Sequence, residues 1–245
     1  MLVETPATPD GAPRRGPRAQ GRDGSSVRSM FDRIAPTYDK LNHLLSAGVD
    51  KAWRAELARG LPVPVGRVLD LCAGTLDLGH MIWMEHPDAD VVAADFAVEM
   101  LRLGKDKLPD PKLCGADALA LPFRDQSFDV VVCGFGVRNV SDLAACFREV
   151  RRVLRPGGTF AVLEFFRAEK RLTRLFHSLY NTRVLPTVGA AVSGDDDAYR
   201  YLAESMERFH SLDEAKELMA SCGYGEVSGR DLLFGVASIL QGVRV

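Results

Sequence analysis

The stretch Val68-Leu69-Asp70-Leu71-Cys72-Ala73-Gly74-Thr75-Leu76-Asp77 decides the fold of this chain. It begins with four mostly apolar residues, continues with a turn of small residues and leads into a helical pattern from Leu78. This order predicts a buried strand that ends in a tight loop at the N-terminus of a helix. Ligands of open α/β sheets bind at the carboxyl ends of the strands, so we expect a ligand at this loop.

Strands and helices alternate through the rest of the chain. Apolar runs such as Val91-Val92-Ala93-Ala94 are typical of strands that are buried on both faces. The alternation predicts an α/β fold with a doubly wound, mostly parallel seven-stranded sheet. The short link at 233–235 predicts a hairpin, so the last strand is expected to be antiparallel. The predicted strands span residues 67–71, 90–95, 112–117, 128–133, 159–164, 226–232 and 236–245.

Local signals place the helices and the domain boundaries. Ser141 is the expected cap of one helix, and Ser211-Leu212-Asp213-Glu214 has the pattern of a capping box for another. Pro156-Gly157-Gly158 predicts a turn before the fifth strand. Residues 1–26 are rich in Pro, Gly and Arg, which predicts a disordered tail. Residues 27–245 are expected to form one domain, with a helical N-terminal segment and a lid-like helical insertion at about 167–210.

Composition narrows the class of protein. The net charge of −2 gives no reason to expect a nucleic acid as partner. The five cysteines are scattered without a C-x-x-C pair, which indicates buried reduced thiols in a cytoplasmic protein instead of disulfides or a metal site. The apolar runs are shorter than the roughly 18 residues that a membrane span needs, and the N-terminus lacks the apolar core of a secretory signal.

Acidic residues end three successive predicted strands. The dinucleotide fingerprint and the P-loop pattern are both absent from the loop after the first strand. Asp70, Asp95 and Asp117 would repel a pyrophosphate but tolerate a cationic nucleoside. Asp95 can accept ribose hydroxyls, and Asp117 can accept the amine of an adenine that packs on Ala118. This arrangement favours S-adenosylmethionine as cofactor, although each Asp taken singly is an ordinary polar residue at a strand end.

Longer motifs extend this interpretation, and from about Val27 to the C-terminus the chain resembles the demethylmenaquinone and ubiquinone C-methyltransferase family. The resemblance implies a Rossmann-like class I methyltransferase fold, S-adenosylmethionine as methyl donor, and methylation of a ring carbon of a polyprenylated quinol, with demethylmenaquinol as the expected acceptor. The motifs are Ala35-Pro36-Thr37-Tyr38-Asp39, Trp53-Arg54, Gly74-Thr75, Ala94-Asp95-Phe96, Asp117-Ala118, Phe135-Gly136-Val137-Arg138-Asn139-Val140 and Leu163-Glu164-Phe165.

Carried over by position, the resemblance implies that Thr75, Asp95, Asp117 and Ala118 contact the cofactor. Leu76 departs from the family, which usually has a glycine there. If the position needs a positive φ, a leucine costs about 1–3 kcal/mol of strain, and its bulk is expected to press on the donor. The position of the loop at the strand ends adds Asp70, Gly74 and Phe96 to the expected cofactor contacts. Tyr38 is a further expected contact, which would close over the donor or simply pack.

Methyl transfer to a ring carbon requires an electron-rich ring and the loss of one proton. Arg138, just past the fourth strand, is a candidate to hold a developing phenolate, and a bracing ion pair is the equally weighted alternative. Asn139 is a candidate to orient a hydroxyl. Tyr199, Tyr201 and His210 are candidates for the substrate pocket, and a general base is not identifiable.

The stretch 171–184 is amphipathic with a basic side and is a candidate entry for a prenyl tail, so peripheral contact with a membrane is expected. The partners expected are therefore a polyprenyl quinol, a membrane surface and a second copy in a homodimer. Two alternatives stay open: a methyltransferase for a benzoquinol or another aromatic or polyketide-like acceptor, and a non-catalytic nucleoside-binding assembly subunit.

Overall fold

A computed structural model describes residues 30, 33–35, 46–169, 173–174, 201 and 204–245 of the 245-residue chain. The tail predicted at 1–26 and most of the insertion predicted at about 167–210 lie outside these residues. Met30 and residues 33–35 are helical, as expected for the N-terminal segment.

The described residues contain the expected seven-stranded sheet. Its strand order is β3-β2-β1-β4-β5-β7-β6. The first five strands are mutually parallel, and β7 runs antiparallel to both of its neighbours. The predicted fold class is therefore confirmed, including the antiparallel last strand. The strands are β1 (Arg67–Leu71), β2 (Asp90–Asp95), β3 (Lys112–Gly115), β4 (Phe128–Gly134), β5 (Leu154–Glu164), β6 (Tyr224–Leu232) and β7 (Ala237–Arg244).

Helices cover both faces of the sheet and bury it. One apolar cluster joins one face to α1, α2 and α3, through residues such as Leu57, Ile82 and Leu101. The other cluster joins the opposite face to α4 and α5, with Phe147 and Met219 among its members. The helices are α1 (Val49–Arg59), α2 (Asp77–Glu85), α3 (Val98–Gly104), α4 (Leu143–Val153) and α5 (Leu212–Ser221).

Several predicted strand boundaries and one predicted helix cap are wrong. β5 begins at Leu154 instead of Thr159, because a β-bulge opposite Phe128 and Val130 absorbs the predicted turn at 156–158 into the strand. β3 ends at Gly115, and Asp117 instead forms an isolated bridge with Ala120. The cap of α4 is Asp142, whose carboxylate accepts a hydrogen bond from Ala145 N at 2.9 Å, and not the neighbouring Ser141.

The capping box predicted for α5 is confirmed. Ser211 Oγ accepts a hydrogen bond from Glu214 N at 3.3 Å, and Glu214 Oε2 accepts one from Ser211 N at 2.9 Å. Because β1 and β4 are adjacent while the strand order reverses between them, the β1–α2 loop (residues 72–76) lies at the switch point of the sheet. In such sheets the crevice at the switch point is the usual ligand site.

Candidate functional site at the carboxyl edge of the sheet

The β1–α2 loop folds sharply at the carboxyl end of the central strand. Cys72, Gly74 and Leu76 all have positive φ, at 54°, 53° and 66°. The turn is closed by a hydrogen bond from Leu76 N to Ala73 O at 2.8 Å. The chain therefore reverses direction within a few residues, and α2 begins directly after the loop.

Helix α3 packs directly on this loop at Gly104. A Cβ built on Gly104 would lie 2.2 Å from the carbonyl oxygen of Thr75. No side chain fits between the two backbones, so the packing of α3 against the loop fixes the position of the loop. Thr75 itself is buried.

The backbone at Leu76 does have a positive φ, but the Leu76 side chain does not lie in the crevice. It is fully buried in the same apolar cluster as Ile82 and Leu101. The expectation that its bulk presses on the donor is therefore wrong for this structure. The left-handed backbone turns the side chain into the core below the loop.

Asp70 lies beneath the loop instead of facing it. The side chain is fully buried, and its Oδ2 accepts a hydrogen bond from Gly79 N at 2.8 Å. Its Oδ1 has no hydrogen-bond partner among the described residues. Burial raises the pKa of this carboxyl to about 7, against the opposing hydrogen bond from Gly79. Because the carboxyl has no solvent-accessible surface, we assign Asp70 to supporting the start of α2 and not to direct ligand contact.

Asp95 joins the β1–α2 loop to the beginning of α3. Its Oδ2 accepts a hydrogen bond from Gly74 N at 2.8 Å, and its Oδ1 accepts one from Ala97 N at 2.7 Å. Each carboxylate oxygen can accept a further bond, so the half-buried side chain is suited to receive hydroxyl groups. The neighbouring Phe96 is 41% exposed.

Asp117 is exposed after β3, and Ala118 beside it is buried. The Oδ1 of Asp117 accepts a hydrogen bond from Leu119 N at 2.9 Å, which fixes the turn. The three acidic residues at or near the ends of β1, β2 and β3 thus have different environments: Asp70 is buried, Asp95 is half-buried and Asp117 is exposed. Only the last two are positioned to meet a ligand.

A buried ion pair lies where β4 and β5 end. Arg138, in the 3-10 helix Val137–Asn139, donates from Nη1 to Glu164 Oε1 at 2.5 Å and to Phe135 O at 2.9 Å. Glu164 is fully buried and also accepts from Phe165 N at 2.8 Å. Burial raises the pKa of the Glu164 carboxyl, and the Arg138 guanidinium opposes that shift. The bracing ion pair, which is the alternative role predicted for Arg138, is therefore present.

Aromatic rings stack beside this ion pair. Phe135 and Phe165 stack with their centroids 4.6 Å apart. The guanidinium of Arg138 lies 5.7 Å from the Phe165 ring, and that of Arg54 lies 5.2 Å from the Phe135 ring. Each of the two stacked rings thus has a guanidinium over it, a geometry that favours cation–π attraction.

The structure brings two of the predicted polar residues together. Tyr201 donates a hydrogen bond from its hydroxyl to Asn139 Oδ1 at 3.1 Å. His210 instead lies just before α5, with Nδ1 3.8 Å from Glu214 Oε2 and its ring 5.5 Å from that of Phe209. Burial lowers the pKa of His210, so the ring is mostly neutral at pH 7. Tyr38 and Tyr199 lie outside the described residues.

Glu164 was missed as a site residue in the sequence. The available signal was a charged residue at the end of the apolar run Phe160-Ala161-Val162-Leu163. Such a charge at the carboxyl end of a buried strand must be paired, but the partner cannot be identified without the topology.

In the part of the chain that the structure describes, no helix is long and apolar enough to cross a bilayer. The same residues contain no cluster of three or more His, Cys, Asp or Glu side chains arranged to hold a metal ion.

Comparison with known proteins places this geometry in a family. The profile of the ubiE/COQ5 methyltransferase family matches residues 19–244. A demethylmenaquinone methyltransferase of Thermus thermophilus is 44% identical over 220 residues, which cover 88% of this chain and 100% of the relative. A ubiquinone/menaquinone biosynthesis C-methyltransferase of Geobacter sulfurreducens is 41% identical over 227 residues, covering 89% of this chain and 88% of the relative.

Solved structures of other proteins share this fold. A Thermotoga maritima structure described as an S-adenosylmethionine-dependent methyltransferase superposes with a TM-score of 0.66. It covers 89% of this chain and 99% of its own length at 17% identity, and so supports the fold alone. Because the family profile and both relatives span most of the sequence, this chain belongs to the ubiE/COQ5 methyltransferase family.

Proposed function

We propose that this protein transfers the methyl group of S-adenosylmethionine to a ring carbon of a polyprenylated quinol, with demethylmenaquinol as the preferred acceptor. One observation carries the proposal: the paired Asn139 and Tyr201 side chains lie next to the Arg138–Glu164 ion pair, at the end of the strand that borders the β1–α2 loop. The names of the relatives support the acceptor class.

The residues at the carboxyl edge fit the donor. S-adenosylmethionine supplies an electrophilic methyl group on a cationic sulfonium when it is bound. In our proposal Asp95 accepts the ribose hydroxyls, and exposed Asp117 accepts the adenine amine beside Ala118. The Gly74-Thr75 backbone borders the amino-acid end. Carboxylates at this edge disfavour a pyrophosphate and tolerate the positive charge of a sulfonium.

The acceptor ring would be held by the polar residues that follow β4. Because Glu164 neutralises the charge of Arg138, the ion pair would act on the acceptor ring through fixed N–H donors and not through a net positive charge. Fixed donors of this kind stabilise a developing phenolate without reorganisation during the reaction. The Asn139 amide and the Tyr201 hydroxyl would orient the quinol hydroxyl. The chain's work is thus mostly positioning of a ring that is already nucleophilic once it ionises.

A methylation assay with labelled donor tests the proposal on prenylated naphthoquinol and benzoquinol acceptors. We expect transfer to both classes, faster to the naphthoquinol, and a loss of about a hundredfold in kcat for Asn139→Ala. Tyr201→Phe should lower kcat/KM, while Tyr224→Phe is the matched control, because the Tyr224 hydroxyl donates to Phe147 O inside the core. Absence of transfer to either acceptor by folded, donor-binding protein would refute the proposed function.

A further inference from the structure

Two cysteines, the first residue of the β1–α2 loop and a residue near the end of β4, lie next to each other at the base of the loop. Cys72 is the first residue after β1, and Cys133 is the penultimate residue of β4. The two strands pair in parallel, with Asp70 opposite Val132. Continuing this register places Cys72 beside the end of β4, at the switch point of the sheet. Cys72 is partly exposed, whereas Cys133 is fully buried.

The left-handed backbone at Cys72 turns its side chain towards Cys133. Successive residues of a strand point to opposite faces, so an extended Cys72 would point away from the face that Leu71 and Cys133 share. With a φ of 54° the strand ends at this residue, and Cys72 packs against the same apolar cluster as Cys133.

Gly136 provides the space in which the two sulfur atoms meet. A Cβ built on Gly136 would lie 2.9 Å from the Sγ of Cys133 and 3.1 Å from the Sγ of Cys72. Both sulfurs therefore border the same small volume, which any larger residue at 136 would fill. The hydrogen-bonding interaction with Cys72, followed by burial, raises the pKa of the Cys133 thiol well above its ordinary value. Of the two sulfurs only that of Cys72 belongs to a partly exposed residue, so Cys72 is the one that a peroxide can reach first.

We propose that Cys72 and Cys133 form an oxidisable dithiol that hydroperoxides convert to a disulfide, and that this modification weakens donor binding at the β1–α2 loop. The first part is independent of the proposed function. The second part rests on it, because it takes S-adenosylmethionine to be the ligand of the loop.

The chemistry uses one hydroperoxide for each disulfide. The Cys72 thiolate attacks one peroxide oxygen, the O–O bond breaks, and hydroxide leaves when hydrogen peroxide is the oxidant, so Cys72 becomes a sulfenic acid. The Cys133 sulfur then attacks the sulfur of that sulfenic acid. Its thiol proton and the sulfenic hydroxyl leave as water, and the S–S bond forms. In total two thiols are oxidised and one hydrogen peroxide is reduced to two waters.

The disulfide would move the loop. An S–S bond is about 2.05 Å long with Cβ atoms about 3.8 Å apart, so the Cys72 side chain must approach Cys133 across the space beside Gly136. Cys72 is followed by Ala73, which donates to Ala94 O at 3.1 Å, and by Gly74, which donates to Asp95. A shift of Cys72 therefore displaces the backbone that positions Asp95.

Peroxide treatment of the reduced full-length protein tests the inference. We expect intact mass spectrometry to show the loss of both thiol hydrogens, peptide mapping to link Cys72 with Cys133, and dithiothreitol to reverse the change. Calorimetry should show at least tenfold weaker binding of S-adenosylmethionine to the oxidised protein. Cys72→Ser and Cys133→Ala should abolish the linkage and keep the affinity of the reduced protein after peroxide. Cys114→Ser, which alters a partly exposed cysteine on β3, is the matched control and should behave as wild type.

Two results would overturn the inference. Addition of oxygen to Cys72 alone, or linkage of Cys72 to another cysteine, would show that Cys133 does not resolve the sulfenic acid. A Cys72–Cys133 disulfide with unchanged donor affinity would remove the functional half. Because the mass readout does not depend on methyl transfer, a protein that forms the linkage on oxidation but methylates no quinol in its reduced form would refute the proposed function and leave the dithiol standing.

Discussion

Leu76 combines a strained backbone with a buried side chain, so two energetic effects oppose each other at one residue. A non-glycine residue with positive φ costs about 1–3 kcal/mol. Removal of a buried leucine side chain costs about 2–5 kcal/mol. Since Leu76 is fully buried, the packing contribution is expected to exceed the strain.

We therefore predict that Leu76→Gly lowers the free energy of unfolding by about 1–3 kcal/mol, although it relieves the backbone. Urea denaturation measures the change. Met84→Ala, at a residue of α2 that is 57% exposed, is the control and should alter stability by less than about 0.5 kcal/mol. A Leu76→Gly protein more stable than wild type would mean that strain dominates at this position.

Asp70 is expected to make stability depend on pH. Its pKa in the folded protein is about 7, above the ordinary 3.8, so the folded state binds the extra proton between these values. The free energy of unfolding should therefore fall as pH rises from about 4 to about 7, and then level off. The upper bound of this loss is about 4 kcal/mol.

Asp70→Asn keeps an oxygen acceptor for Gly79 N and removes the titration. Denaturation curves across this pH range give the free energy of unfolding of both proteins, and the difference between the two values should change by up to about 4 kcal/mol. The variant should become more stable relative to wild type as the pH rises. A difference that stays constant with pH would show that Asp70 does not titrate in this interval.

At the scale of elements, the contact of α3 with the β1–α2 loop holds the loop in place. It depends on the absence of a side chain at Gly104, where a Cβ would meet Thr75 O at 2.2 Å and Leu76 Cδ1 at 2.7 Å. A backbone carbonyl cannot rotate away as a flexible side chain can. Any residue larger than glycine must therefore separate the helix from the loop.

Gly104→Ala is predicted to destabilise the fold by about 1–3 kcal/mol and to weaken donor binding about tenfold or more, because the loop moves with α3. Thermal unfolding and calorimetry measure the two effects. Leu103→Ala, one residue earlier and 53% exposed, should leave both nearly unchanged. Wild-type donor affinity in Gly104→Ala would show that the loop is not positioned by α3.

At the scale of the whole molecule, the β6–β7 hairpin projects from the same edge of the sheet as the candidate site. Ser238, in β7 just after the turn of the hairpin, pairs with Glu164 at the end of β5. The hairpin tip exposes Phe234 by 82% and Leu233 by 49%. Thr173, after β5, donates to Phe234 O at 2.8 Å. Aromatic and leucine side chains at a protein tip favour insertion into the interface of a bilayer.

If the acceptor is a membrane-borne quinol, exchanging both tip residues for serine should reduce binding to phosphatidylcholine–phosphatidylglycerol vesicles several-fold, measured by co-sedimentation. Activity should fall on quinol in vesicles and stay unchanged on a short-chain quinol in solution. Val63→Ser is the matched control, since Val63 is 76% exposed but precedes β1 at the opposite edge. Equal losses for the two variants would exclude the hairpin as the contact.

The alternation of buried strands with amphipathic helices was enough to predict the seven-stranded sheet, its antiparallel last strand and the loop at its ligand edge, because burial imposes a local periodicity that any single sequence carries. The capping box at Ser211 was predictable for the same reason: its hydrogen bonds join residues three apart. The family motifs extended the prediction from the fold to the class of enzyme.

Contacts between residues distant in sequence required the assembled fold. Arg138 and Glu164, 26 residues apart, meet because β4 and β5 pair, and Cys72 and Cys133 meet because β1 and β4 do. Burial of Asp70 and of Leu76 depends on α2 and α3 packing over the same loop. Which residues meet across the sheet depends on strand order and register, which local patterns do not specify, so the environment of each site residue had to come from the tertiary structure.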